Sequence, residues 1–159
     1  MTALLHAVHS DPRAMAEGDA TDITVLLLHG YGSNEHDLTG IVPALGLGVP
    51  WASLRAPIEL GNGGAAWFAI TTPGDPDPEP LAEATDAIWA WIDATRGESS
   101  RVLPIGFSQG GLMASQLLRT RPERVGAPVV LGGFVQRSAQ RCSPRPVRRC
   151  SGAVAPRTA

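Results

Sequence analysis

The chain has 159 residues, a length that suits one domain, and 43% of them are hydrophobic, enough to build a core. No apolar run approaches the ~18 residues of a membrane helix, so no membrane span is expected. A formal net charge of −2 argues against a broad nucleic-acid surface, and the N-terminal MTALLHAVHSDPR has neither the basic start nor the apolar stretch of a signal peptide, which makes a cytoplasmic location the expectation.

The first segment with a clear pattern is T-D-I-T-V-L-L-L-H-G, residues 21–30, an apolar run ending in glycine. It predicts a buried strand over Ile23 to Leu28. A polar loop follows, Y-G-S-N-E-H-D-L, in which Ser33 and Asn34 are candidate helix caps. Asp37 to Leu45 predicts a short helix broken at Pro43, and Trp51 to Arg55 a second strand. The stretch E-L-G-N-G-G-A-A-W-F-A-I reads as a surface loop over a site, and T-P-G-D-P-D-P-E-P as an exposed turn region. Apolar residues at Leu81, Ala84, Ile88, Trp91 and Ile92 have helical spacing and predict a helix over Pro80 to Thr95. Arg101 to Phe107 predicts a third strand, although Pro104 within it lacks a ladder donor. Gly110 to Thr120 predicts a helix and Pro128 to Leu131 a fourth strand. The N-terminus, with His6 and His9, shows no pattern. Strands alternating with helices point to an α/β protein with a mainly parallel sheet flanked by helices.

Composition changes near residue 136. Seven of the 13 arginines and all 15 acidic residues precede residue 137. Residues 137–159 hold six arginines, no acid, both cysteines, and no Phe, Leu, Ile or Trp. This divides the chain into a core over 1–136 and a basic Pro/Arg-rich tail over 137–159. The tail is expected to be disordered or to be a frameshifted reading. Cys142 and Cys150 have no companion pair, so free thiols are expected rather than zinc.

The chemistry centres on G-F-S-Q-G, residues 106–110. This is the G-x-S-x-G pattern of a nucleophile elbow, where serine sits on a sharp strand-to-helix turn and glycines two residues away avoid a clash. The predicted strand before it and helix after it supply the required context, with an ordinary glycine turn as the alternative. Ser108 is the candidate nucleophile. H-G-Y-G, residues 29–32, follows a buried strand, as an oxyanion-hole loop should. There the alternative is a turn whose glycines only permit positive φ. The backbone N–H of Gln109, just after the serine, is one candidate donor.

L-H-G-Y-G-S-N-E-H-D-L, S-L-R-A-P, A-W-F and G-F-S-Q-G-G-L-M-A occur in this order. Together they resemble the phospholipase/carboxylesterase family of the α/β-hydrolase fold, which includes acyl-protein thioesterase-like enzymes, over about residues 21–136. The resemblance implies hydrolysis of small-molecule carboxylic esters or thioesters with no cofactor; no metal is expected, because His36 beside Glu35 and Asp37 lacks a ligand spacing typical of zinc. It implies Ser108 as nucleophile and the N–H groups of Tyr31 and Gln109 as the oxyanion hole. Trp67 and Phe68 match an aromatic element beside the site, with packing against the core as the alternative. His29 corresponds to a residue that supports the oxyanion loop. Oligomeric state is not legible.

The family order is serine, acid, histidine. After Ser108 this sequence contains no histidine and no aspartate, and its sole later carboxylate is Glu123, which reads as a solvated surface charge. The fold expectation is therefore a partial α/β-hydrolase lacking the C-terminal strands, with catalysis impaired; a non-catalytic binding or interaction remnant is the alternative. Dienelactone-hydrolase-like chemistry would place cysteine at the elbow, and an interfacial lipase would need a long apolar lid. One base out of register, codons for Val147 to Thr158 admit R-P-P-V-F-W-G-R-G-A-A-D when wobble bases are chosen for it. That is an apolar strand leading to glycines and an aspartate, resembling the family's acid-bearing strand and loop.

Overall fold

The computed structural model describes residues 4–10, 23–46 and 48–134. The tail over 137–159, both cysteines and the out-of-register stretch lie outside the described residues.

A five-stranded sheet forms the centre. Its strands are β1 (Ala7–His9), β2 (Ile23–Leu28), β3 (Trp51–Leu54), β6 (Arg101–Phe107) and β7 (Val129–Leu131), in the spatial order β1-β3-β2-β6-β7. All pairings are parallel except β1 with β3. A separate hairpin joins β4 (Ile58–Glu59) to β5 (Ala65–Ala66). The helices are α1 (Ile41–Ala44), α2 (Pro78–Arg96) and α3 (Gln109–Thr120), with a 3-10 turn at Pro122–Arg124.

Strand β2 is apolar apart from Thr24 because both faces of the sheet are covered. Leu26 and Leu28 join Ala52, Leu54, Ile88, Trp89, Ile92, Leu112 and Leu117 in the larger cluster, under α2 and α3. Val25 and Leu27 point the other way, to Leu38, Val42 and Ile105. Burying each large side chain contributes ~1.5–3 kcal/mol, so this alternation sets which face of each strand meets which helix.

The predicted α/β architecture with a mainly parallel sheet is observed. Helix α2 begins two residues earlier than its apolar spacing suggested, since Pro78 and Pro80 lie in the first turn, where no N–H is needed. Helix α1 is shorter than predicted and includes Pro43 as its third residue, for the same reason. Residues 37–40 are turns, and the two candidate caps serve those turns. Asn34 Oδ1 accepts from the His36 N–H at 2.9 Å, and Ser33 Oγ donates to Asp37 Oδ2 at 2.7 Å.

Three strands, β1, β4 and β5, were hidden in segments without strand pattern. β1 is three residues long, too short for alternation to show, and it is held by β3 and by the Arg55 N–H to His6 O bond of 2.8 Å. The glycine-rich segment is not wholly a surface loop, because Gly64 to Phe68 are buried. Strand β6 tolerates Pro104. The Gly126 N–H donates to Val102 O at 2.8 Å, so Val102, and Pro104 two residues on, face the β7 side. β7 begins only opposite Ile105, so no ladder bond is lost.

Strands β2 and β6 are parallel neighbours, with Leu28 opposite Gly106. The loops that leave them, His29 onward and Ser108 onward, therefore open at the same end of the sheet, where open α/β sheets place their sites.

Candidate active site

Ser108 ends β6 and begins the turn into α3. Its backbone sits at φ 51° and ψ −111°, a region that side chains avoid. Asn62 is the only other described non-glycine residue with positive φ. The conformation is held from both sides. The Ser108 N–H donates to Leu131 O at 2.9 Å, and Ser108 O accepts from the Gly111 and Leu112 N–H groups at 3.0 and 3.3 Å. The glycines of the motif have a steric cause. A Cβ on Gly106 would overlap the backbone of Gly110, and one on Gly110 would overlap the Leu28 carbonyl.

Ser108 opens into a cavity of about 290 Å³, whose lining includes Tyr31, Phe68, Ile70, Gln109 and Phe134. The remaining wall is Thr72, Pro73, Gly74 and Pro76, so the proline-rich stretch, though mostly exposed, closes one side. Tyr31, Ser108, Gln109 and Phe68 are thus brought together. Trp67 is not part of the lining. It is 1% exposed, and its indole N–H donates to His29 O at 2.9 Å. Sequence reasoning missed Ile70, Phe134 and the proline-rich wall. No motif marks them, and only the fold brings them to the serine.

The loop after β2 is fastened at each point. The Gly32 N–H donates to Ala65 O at 2.9 Å, the Ala65 N–H to Ser33 O at 2.8 Å, and the Ser33 N–H to Gly30 O at 3.2 Å. The Tyr31 N–H makes no hydrogen bond to the described residues. Gln109 is the first residue of α3, so its N–H has no acceptor within the helix.

His29 is fully buried. Its Nε2 accepts from the Ala56 N–H at 3.1 Å, so Nδ1 carries the proton and donates to Gly30 O at 2.7 Å. Burial, opposed by that backbone bond, holds its pKa below the ordinary value. Both ring nitrogens of His29 are therefore engaged within the fold. His9 stacks on Trp91 at 5.8 Å. His6 and His36 flank Glu35 at 3.5 and 3.6 Å, and Glu35 also accepts from Arg55 at 2.8 Å. None of the four histidines lines the Ser108 cavity. Among the described residues no cluster suited to a metal ion occurs, and no helix is long and apolar enough to cross a membrane.

Residues 9–145 match the family Phospholipase/Carboxylesterase. The chain is 30% identical over 115 residues to the pimeloyl-[acyl-carrier protein] methyl ester esterase of Neisseria meningitidis serogroup B (strain MC58), an alignment covering 72% of this chain and 38% of that relative. Among solved structures, the Bacillus cereus carboxylesterase superposes with a TM-score of 0.70 at 27% identity, covering 85% of this chain and 63% of the other. The carboxylesterase from Mesorhizobium loti superposes with a TM-score of 0.67 at 20% identity, covering 87% and 66%, a likeness of fold. The chain therefore spans about 38% of that curated relative's length and 63% of the Bacillus enzyme. The elbow, the loop after β2 and the matched residues establish that this chain belongs to the phospholipase/carboxylesterase family of α/β-hydrolases.

Proposed function

We propose that this chain carries the nucleophile and oxyanion half of a serine hydrolase acting on carboxylic esters or thioesters. The observation that carries the reading is Ser108, held at positive φ on a strand-to-helix turn and sharing one cavity with Tyr31 and Gln109. Ser108 Oγ attacks the substrate carbonyl. The N–H groups of Tyr31 and Gln109 receive the negative charge of the tetrahedral oxygen, and the start of α3 adds a favourable dipole. Collapse expels the alcohol or thiol and leaves an acyl-serine, which water hydrolyses. Phe68, Ile70 and Phe134 offer apolar surface, which suits an uncharged acyl or alkyl group. Trp67 supports this wall from behind.

A base has to take the serine proton, and the residues after Ser108 hold no histidine. We assign the acid and base to sequence outside residues 1–159. The out-of-register stretch after Gln136, with its strand-like run and aspartate, supports that assignment. Residues 1–159 alone would then offer the elbow and the oxyanion hole, which leave a rate about a thousandfold over water in a triad enzyme stripped of its members.

The test is turnover of p-nitrophenyl butyrate by the 159-residue chain and by the chain read in the shifted frame. The shifted frame should add orders of magnitude, and Ser108→Ala should remove that gain, leaving only the residual of the oxyanion hole. Shifted-frame turnover unchanged by Ser108→Ala would remove the nucleophile assignment. Efficient turnover by the 159-residue chain, lost in Ser108→Ala, would show that it holds a base of its own.

A further inference from the structure

The side chain of Gln109 is buried, and both its hydrogen bonds go to a segment outside its own helix. The residue is 2% exposed. Its Oε1 accepts from the Trp67 backbone N–H at 2.9 Å, and its Nε2 donates to Phe68 O at 2.8 Å. A carboxamide offers one acceptor and one donor group, matching this backbone pair; a carboxylate or a thioether of similar size does not. The segment so gripped is the one that holds the loop after β2. Ala65 O receives the Gly32 N–H, and the Trp67 indole reaches His29 O. Tyr31 lies between these two fastenings. The backbone of Ala65 to Trp67 and these hydrogen bonds together therefore link the Gln109 carboxamide to both sides of Tyr31.

We propose that Gln109 is a positioning residue for the oxyanion hole. Its own N–H is one donor, and its carboxamide sets where the other, the Tyr31 N–H, points. This rests on the reading of Ser108 given above. It explains why a buried polar side chain follows the nucleophile where an apolar one would fill the space without needing partners. A donor displaced by about 1 Å costs up to a hundredfold in such sites, so the grip matters to function beyond its part in stability.

The test uses the full chain and phenylboronic acid. Ser108 Oγ bonds to boron, the hydroxyl proton passes to solvent, and the tetrahedral adduct is read by its boron-11 shift and its Kd. Wild type should form the adduct and Ser108→Ala should not. Gln109→Glu should weaken it about tenfold or more at alkaline pH, where a carboxylate faces the Phe68 carbonyl. As the pH falls, the ratio of variant to wild-type Kd should return towards one, because the protonated carboxyl regains a donor. Trp67→Phe, which keeps the backbone bond to Gln109 but frees His29 O, should weaken the adduct several-fold.

A Gln109→Glu protein that is less stable yet binds like wild type at every pH would show a structural role alone and overturn the proposal. If that variant does not fold, unchanged binding by Trp67→Phe would overturn it equally. No adduct in wild type, or the same adduct in Ser108→Ala, would instead remove the Ser108 assignment and this inference with it.

Discussion

Gly110 passes so close to the end of β2 that a Cβ on it would overlap the Leu28 carbonyl oxygen. This contact brings the start of α3 against the strand whose loop carries Tyr31. Gly110→Ala should destabilise by about 3 kcal/mol or more, since the obstacle is backbone and has nowhere to move. Gly40→Ala, where nothing lies within 4 Å, should change stability by less than ~0.5 kcal/mol. Equal unfolding midpoints in urea for the two variants would contradict this packing.

Ser108 is held in a strained backbone region, and glycine there would be free of that strain. Ser108→Gly should stabilise the chain by about 1 kcal/mol while removing the hydroxyl. Ser108→Ala should not stabilise in this way, because alanine keeps the Cβ. Matched thermal melts of the three proteins decide it, and a Ser108→Gly variant no more stable than Ser108→Ala would mean that the elbow stores no strain.

Ser53 lies fully buried in β3, on the face it shares with Leu27. Its hydroxyl has no hydrogen-bond partner among the described residues. A buried hydroxyl without a partner costs ~1–3 kcal/mol. Ser53→Ala should therefore raise stability by about 1 kcal/mol, measured by urea denaturation; a loss of that size would show that the hydroxyl is satisfied in solution.

Acid should destabilise the protein over two separate pH ranges. Burial holds folded His29 below its ordinary pKa, and burial, Arg96 and His6 do the same for His9. The unfolded chain then binds protons that the folded chain does not, so stability falls as pH drops through about 6.5. Glu35 and Asp93 behave differently. Burial alone would raise both, but hydrogen bonds from Arg55 to Glu35, and from Arg124 and Arg121 to Asp93, outweigh it and hold both carboxyls low. Their contribution is complete above the ordinary carboxylate range near ~4 and is lost as pH falls through their lower folded values. Thermal melts across pH should show both limbs, with Glu35→Gln reducing the lower one. A melting temperature that stays level from neutrality down to about pH 5, below the ordinary histidine value, would contradict the state assigned to His29.

The tail makes a prediction of a different kind. Independent sequencing of the coding DNA across codons 130–159 and onward should find one base lost or gained, and a corrected frame that runs through an aspartate to a later histidine. An unaltered frame would overturn the out-of-register reading of residues 137–159.

Much of this site was legible locally. The elbow is a contiguous pentapeptide because its constraint is local: a sharp turn at Ser108 that only small neighbours allow. β2, β6 and α3 announced themselves through apolar runs and periodicity, because each buries a whole face. The absence of a histidine after Ser108 needed no structure at all. Other features depend on contacts between distant residues, which leave no local pattern. β1 exists because β3 offers it an edge. His29 is held towards its neutral form because it is buried and its Nε2 accepts from the Ala56 N–H, 27 positions away in the chain. Trp67 and Phe68, adjacent in sequence, part company because one packs behind the loop and the other faces the cavity. The carboxamide of Gln109 meets Trp67 and Phe68 across 42 and 41 positions of chain, and only the folded sheet brings them within hydrogen-bonding reach.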